Sequence, residues 1–417
     1  MGLVRETSTV QGTCVCSLVV PVVGVSGLDA WQPGPVPWPW PRSPGRNEDE
    51  RAVTDADRRR TLVQEHVAGI VYGSPTDRRR HLMAVDAAVL GWAVDAVEVL
   101  RLPPHSRTDT HLLVVHLSAP PDADPVDDLP RLADVAPERP SNARADLSAL
   151  LSRLLPGSAL RDRATDRHAY VLSHTTFDKG AEHVDPPGPD QQAPRHLQWS
   201  RLLASVNEPV AMSGSLLGPE PTDVDVALSS SWCVTVLQRG AAFVGRTPQR
   251  EDSFHAIGRV LARSVYLDAI LLALVQREVV QGLTDQVPGL LASGTRLAER
   301  LDLQRHLIEY RAAVWTQSAS ESQHMDAVLN AAQRQFGLQD RQTELATDIA
   351  DLAQMSQLEA DRRIGTLLNW LIAISTGAGL AALVLDPGLA ALGIGVALSA
   401  VIAAAMFLYS RRAEKQR

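Results

Sequence analysis

Apolar residues in this chain come in runs whose length and period assign elements. Valine- and leucine-rich runs at 15–25, 96–102, 112–117, 169–172, 233–237 and 242–244 have the β-branched, short character of strands. Stretches rich in Pro and Asp at 118–130 and 185–194 separate them as loops. With helical stretches between, the pattern predicts a strand-rich α/β domain over 61–250, preceded by an N-terminal strand and a Pro/Trp-rich segment over 1–60. That segment, WQPGPVPWPWPRSPGR at 31–46, reads as an extended loop whose tryptophans cover the edge of the adjacent domain or dock a partner.

After residue 250 the period becomes helical. A helix over 253–281 contains a dense apolar run, 265–275, broken by Asp268, which is too short to span a membrane and fits a buried core helix. A second helix starts near Gly289, with Leu297, Leu301, Ile308, Ala312 and Trp315 on one face, and a third covers 325–335 and closes at Gly337. From Leu338 the chain runs to Ile364 with neither Gly nor Pro. Leu338, Leu345, Ile349 and Leu352 form a coiled-coil-like seam, with Glu344, Asp348 and Asp351 as an acidic stripe beside it. Such a helix is a stalk, and its seam predicts a homo-oligomeric bundle.

Two uncharged apolar runs follow, 364–385 and 388–409, each of about 22 residues, enough to cross a hydrocarbon core of roughly 30 Å. Arg362 and Arg363 precede the first, and Arg411, Arg412, Lys415 and Arg417 follow the second, while the turn between them has no basic residue. The positive-inside rule then puts both termini in the cytoplasm. The expected fold class is an α+β membrane protein: an N-terminal α/β cytosolic domain, a helical region with a long stalk helix over 251–363, a two-helix transmembrane hairpin over 364–409 and a basic cytosolic tail over 410–417. The expected location is a bacterial inner membrane, multi-pass, in contact with lipid.

Composition narrows the function classes. The 417 residues carry a net charge of −8, and the basic tail contributes +3 of its own, so the remainder is more acidic still, which excludes a nucleic-acid-binding face. Lys179 and Lys415 are the only lysines, and the arginine excess reads as coding bias of a GC-rich bacterial genome. Cys14, Cys16 and Cys233 form neither a disulfide framework nor a zinc set. Of the histidines His105, His111, His116, His168, His174 and His183, the tightest group is His174 with Asp178 and His183, at a spacing that matches no metal motif. With no phosphate-binding Gly-rich loop and no Gly-x-Ser-x-Gly elbow, no enzyme is expected.

An α/β domain, a long helix entering the first of two C-terminal spans, a short outer turn, a basic tail and the passage ADRRIGTLLNWLIAIS at 360–375 together resemble the CorA-like two-transmembrane metal-ion transporter superfamily. The resemblance covers roughly 253–417 and implies a pentamer whose first spans line a pore, as a channel or transporter gated by its cytosolic domain. The family's Gly-Met-Asn signature is replaced by Leu383, Val384, Leu385, Asp386, Pro387 and Gly388, so no filter residue carries over. In such a pentamer Thr366, Asn369 and Thr376, on one stripe with Ala373, Leu380 and Leu383, either line the pore or bond packed helices, and Asp386 either forms an outer carboxylate ring or is a solvated turn residue. Acidic stalk residues of the family bind regulatory divalent ions, which points to Glu344, Asp348 and Asp351 as a magnesium or calcium site, with a stripe facing solvent as the other reading. The alternative function is a membrane-anchored cytosolic sensor or defence effector that conducts nothing and answers a cytosolic ligand.

Overall fold

A single 11-stranded mixed sheet organises the first 250 residues. The structure, a computed structural model, describes residues 12–39, 59, 61–73, 78–103, 109–138, 141–163, 167–186, 193–206, 223–248, 253–291 and 297–384. The strands are β1 (Gly12–Val23), β2 (Gln32–Pro33), β3 (Arg79–Met83), β4 (Ala88–Val89), β5 (Trp92–Arg101), β6 (Thr110–Ser118), β7 (Ala159–Leu160), β8 (Tyr170–Phe177), β9 (Asp225–Ser229), β10 (Trp232–Val236) and β11 (Gly240–Gly245). They lie in the order β2-β3-β5-β6-β1-β8-β11-β10-β9, with β4 on β5 and β7 on β1. Every pairing is antiparallel except β8 with β11.

The helices are α1 (Glu65–Val71), α2 (Pro125–Ala133), α3 (Asn142–Leu154), α4 (Arg195–Ser205), α5 (Ser253–Arg263), α6 (Val265–Thr284), α7 (Val287–Leu291), α8 (Leu297–Ala313), α9 (Gln323–Gln335) and α10 (Leu338–Val384). Local chemistry starts several of them. Asp124 accepts a hydrogen bond from Val126 N at 2.9 Å with Pro125 at the first helical position of α2, and Ser141 Oγ accepts from Arg144 N at 3.1 Å to open α3. The expected helix over 253–281 is two helices that meet at Ser264.

The chain divides into two compact units, Met1–Gly282 with Glu309–Gln342, and Leu283–Ile308 with Thr343–Arg417. The first holds the sheet, α1 to α6 and α9; the second holds α7, most of α8 and all but the first turns of α10.

The two faces of the sheet differ in chemistry. Alternation along β1 sends Cys14, Cys16, Leu18, Val20 and Val22 to one face, into a cluster with Leu129 and Leu132 of α2, Leu147 and Leu151 of α3 and Leu202 and Leu203 of α4. The opposite face carries Ser17, His116, Glu98 and Arg79 and is covered by α5 and α6. Several of its buried polar groups form one network. Arg79 Nη1 donates to Asp268 Oδ1 of α6 at 2.5 Å, Arg79 Nε donates to Glu98 Oε2 at 2.8 Å, and the Tyr72 hydroxyl donates to Asp268 Oδ2 at 2.5 Å. Val36 N donates to Glu98 Oε1 at 2.7 Å and so pins the Pro/Trp-rich segment to the sheet. Burial alone would raise the Glu98 pKa, but the Arg79 guanidinium outweighs it and holds the carboxyl well below the usual carboxylate range. Trp38 packs edge-on to His116 of the central strand β6 with centroids 5.0 Å apart and lies under the Arg263 guanidinium at 4.5 Å, so this ring is buried on the face of the sheet rather than at its edge.

The transmembrane hairpin is corrected. Among the described residues no helix is long and apolar enough to cross a membrane. The helix from Leu338 does run unbroken for 47 residues, but its described side chains mix the exposed apolar Leu367, Leu368, Trp370 and Ile372 with the exposed polar Thr366 and Asn369, on a helix that begins with charge at almost every turn. The run 388–409 and the tail lie outside the described residues. The inner-membrane location and the transmembrane channel built on that hairpin lose their support with it.

Acid should weaken this fold through its buried histidines. His174 of β8 is 1% exposed, with its ring 4.7 Å from that of Trp232, and burial, aided by Arg259 and His255, holds its pKa down to about 3. Because the folded value is depressed, stability is complete above about pH 6.5 and is lost as the pH falls toward the folded value. Urea unfolding at pH 7.5 and pH 5.0 should show His174 removing about 2 kcal/mol between them, at 1.36 kcal/mol per pKa unit. His174→Leu should lose that much less; an unchanged pH slope in the variant would contradict the assignment.

Candidate functional site

A cavity forms where β1 changes partner. Val19 of β1 pairs with Tyr170 of β8, while Val22 and Val23 pair with Leu160 and Ala159 of β7 on the same edge. Before Tyr170, Arg167 and Ala169 are tied instead to the end of α2, with Val135 N donating to Arg167 O and Ala169 N to Ala133 O. Pro21 stands opposite this gap. A central strand normally rejects proline, but here the carbonyl accepts from Arg161 N at 3.0 Å and the missing N–H faces the excursion rather than β6.

The cavity holds about 410 Å³ and takes its lining from segments far apart in sequence: Val19 and Pro21 of β1, Leu112 of β6, Arg161 and Arg167 to Tyr170 from the excursion, Gln238 and Arg239 before β11, Leu274 to Gln281 of α6, and Arg341 of α10. All of these belong to the first unit. Five arginines, Arg161, Arg167, Arg239, Arg277 and Arg341, face one lining carboxylate, that of Glu278. Arg161 Nη1 is paired with Glu278 Oε2 at 2.5 Å, both groups nearly buried. Arg277 lies 3.7 Å from Glu278 and 4.9 Å above the Phe336 ring, which holds its guanidinium in place. Arg167 meets Glu138 at 3.1 Å in an exposed pair, which solvent weakens.

Two groups report on the electrostatics. His168 is held below its usual range, first by burial and then by Arg239, so the wall is a region of positive potential. Tyr170 also lines the cavity; its hydroxyl is buried and makes no hydrogen bond, and burial raises its pKa, so it stays protonated. This arrangement is suited to holding an anion.

A second constellation looks catalytic and is not. Ser17 Oγ lies 2.8 Å from His116 Nδ1, and His116 Nε2 lies 3.6 Å from Glu98 Oε1, a serine, histidine and carboxylate on the neighbouring strands β1, β6 and β5. With Nε2 facing the carboxylate, Nδ1 is left to accept the serine proton. All three residues are 0% exposed, none lines the cavity, and Glu98 is already held by Arg79 and Val36 N, so no substrate reaches the hydroxyl.

The residues expected from the sequence fall elsewhere. Glu344, Asp348 and Asp351 are exposed on α10, and among the described residues no group of three or more His, Cys, Asp or Glu is placed to hold a metal. Thr366 and Asn369 are exposed further along α10, Thr376 follows on the same helix, and Asp386 and His105 lie outside the described residues. His174 is buried while Asp178 and His183 are exposed, so that group is not brought together. The three cysteines are free and buried, and burial pushes the Cys14 and Cys233 thiols up to about 12. Compared with known protein families, characterised proteins and solved structures, the chain matches none.

Ser17→Ala should cost about 1 kcal/mol in urea unfolding, the worth of one buried hydrogen bond. A fluorophosphonate probe should leave Ser17 of the folded protein unlabelled. Stoichiometric labelling of Ser17 would contradict the structural role given to it here.

Proposed function

We propose that this chain is a binding module for an anionic small molecule, held in the cavity beside β1. The observation that carries the reading is the convergence of five arginines on one cavity in a chain whose net charge is −8. An acidic protein repels anions at long range, so a basic cavity within it selects them at one place. Planar guanidinium groups suit phosphate and carboxylate oxygens because they donate in pairs. The Arg161–Glu278 pair keeps two of the lining groups in position, and Arg239 and Arg341 add two exposed guanidinium groups to the lining.

Pyrophosphate is the simplest probe. Isothermal calorimetry should show it binding at low salt and weakening as salt is raised. Arg239→Ala and Arg341→Ala should each weaken it about tenfold, or about 1.4 kcal/mol, without altering thermal unfolding of the free protein. A bound anion should also raise the His168 pKa, read by NMR titration of its ring. No binding, or binding indifferent to both substitutions, would remove the proposal.

A further inference from the structure

We infer that an anion held in this cavity sets the joint between α9 and α10, and with it the direction of the long helix α10. The inference rests on the anion-binding reading and adds what binding does to the chain.

Only Phe336 and Gly337 separate the two helices. Gly337 turns the chain at φ +59°, the left-handed conformation that ends many helices, and a Cβ there would meet nothing within 4 Å. On either side of this glycine stands a residue that touches or lines the cavity. Before it, the Phe336 ring packs edge-on to the Tyr170 ring at 5.8 Å and lies under the Arg277 guanidinium at 4.9 Å, and both of these partners are lining residues. After it, Arg341 in the first turn of α10 is itself part of the lining.

The two sides of the joint are held differently. Phe336 is 3% exposed and fixed by its two neighbours. Arg341 is exposed, and among the described residues it has no carboxylate partner. A second cavity, of about 250 Å³, is lined by Gly337, Leu338 and Asp340 together with Trp315 and Asn330, so the first turn of α10 has space beside it that a pivot at Gly337 can use.

Charge supplies the coupling. Arg239 and Arg277 line the same cavity as Arg341 and repel it, so without an anion the first turn of α10 is pushed outward. An anion reverses that force and binds best to the arrangement that brings Arg341 to the wall, and a ligand shifts an equilibrium by such a difference in affinity. Leu338 to Gln342 belong to the first unit and the helix continues unbroken to Val384, so the direction of this turn is the direction of the helix.

The test is hydrogen–deuterium exchange on the full chain with and without saturating pyrophosphate. The ligand is expected to slow exchange over 338–345 by at least about fivefold more than over α2 and α3, which pack on the other face of the sheet. Arg341→Ala, brought to saturation, is expected to lose that local protection, and Arg239→Ala to keep it. Binding and joint must also be reciprocal: Gly337→Ala, which strains the turn outside the cavity lining, is expected to weaken pyrophosphate by at least about threefold. If pyrophosphate binds but protects 338–345 no more than α2 and α3, or if Arg341→Ala keeps the protection, the inference falls and the anion-binding reading stands. A folded Gly337→Ala with wild-type affinity overturns it in the same way, and if that variant does not fold, the exchange comparison alone decides. If pyrophosphate does not bind at all, both fall together.

Discussion

Asp268 is the constraint on which the arrangement turns. It is a carboxylate inside the most apolar helix of the first unit, fully buried, and a buried charge without partners costs several kcal/mol. Its partners all come from one distant stretch, 59–79: Arg79 from β3, Tyr72 after α1, and Arg59, whose guanidinium lies 3.9 Å away. Because Arg79 also binds Glu98 of β5, the network ties α6 to the sheet through charge-assisted hydrogen bonds on a face that apolar packing alone would leave free to slide. Fixing α6 at Asp268 fixes its far end as well. Arg277, Glu278 and Gln281 lie about 13–20 Å further along the helix, at the gap where β1 passes from β8 to β7.

This dependence explains why a cavity forms there. The β1 edge opposite Pro21 lacks a strand partner for a few residues, and α6 passes over the opening instead of sealing it with apolar side chains. The helix presents Arg277 and Glu278, the latter engaged by Arg161. The cavity thus draws on the same kind of interaction as the core, with one difference. In the core Arg79 is matched by Glu98 and Asp268, whereas five arginines and one carboxylate line the cavity.

Parts of this were legible in the sequence. The valine-rich runs mark β1, β5, β6, β8, β10 and β11, and the run around Asp268 reads as a buried helix. The strand β3 was not legible, because Arg79, Arg80 and His81 look like a solvated segment until Glu98 and Asp268 are seen to neutralise Arg79. The strand order, with its one parallel pair, leaves no mark in the period of any single strand. The cavity was hidden for a different reason. Its residues come from segments as far apart as Val19 and Arg341, and arginine abundance reads as background in a chain with two lysines. One signal was present: Arg277 and Glu278 interrupt an otherwise uncharged stretch of α6 between Asp268 and Asp285, and charge inside a buried helix marks either a structural pair or a site. The apolar runs after residue 363 outweighed such signals, since length and hydropathy are easier to read than a constellation assembled by folding.

The most direct test of the account is a double-mutant cycle across the α6-to-sheet contact, with Arg79→Met, Asp268→Leu and the pair compared by urea unfolding. Each single substitution should cost about 3–5 kcal/mol by leaving a buried charge with a missing partner, and the double should cost less than the two added together by about 2 kcal/mol or more. Singles that cost under about 1 kcal/mol, or that add without coupling, would contradict the claim that Asp268 holds α6 to the sheet.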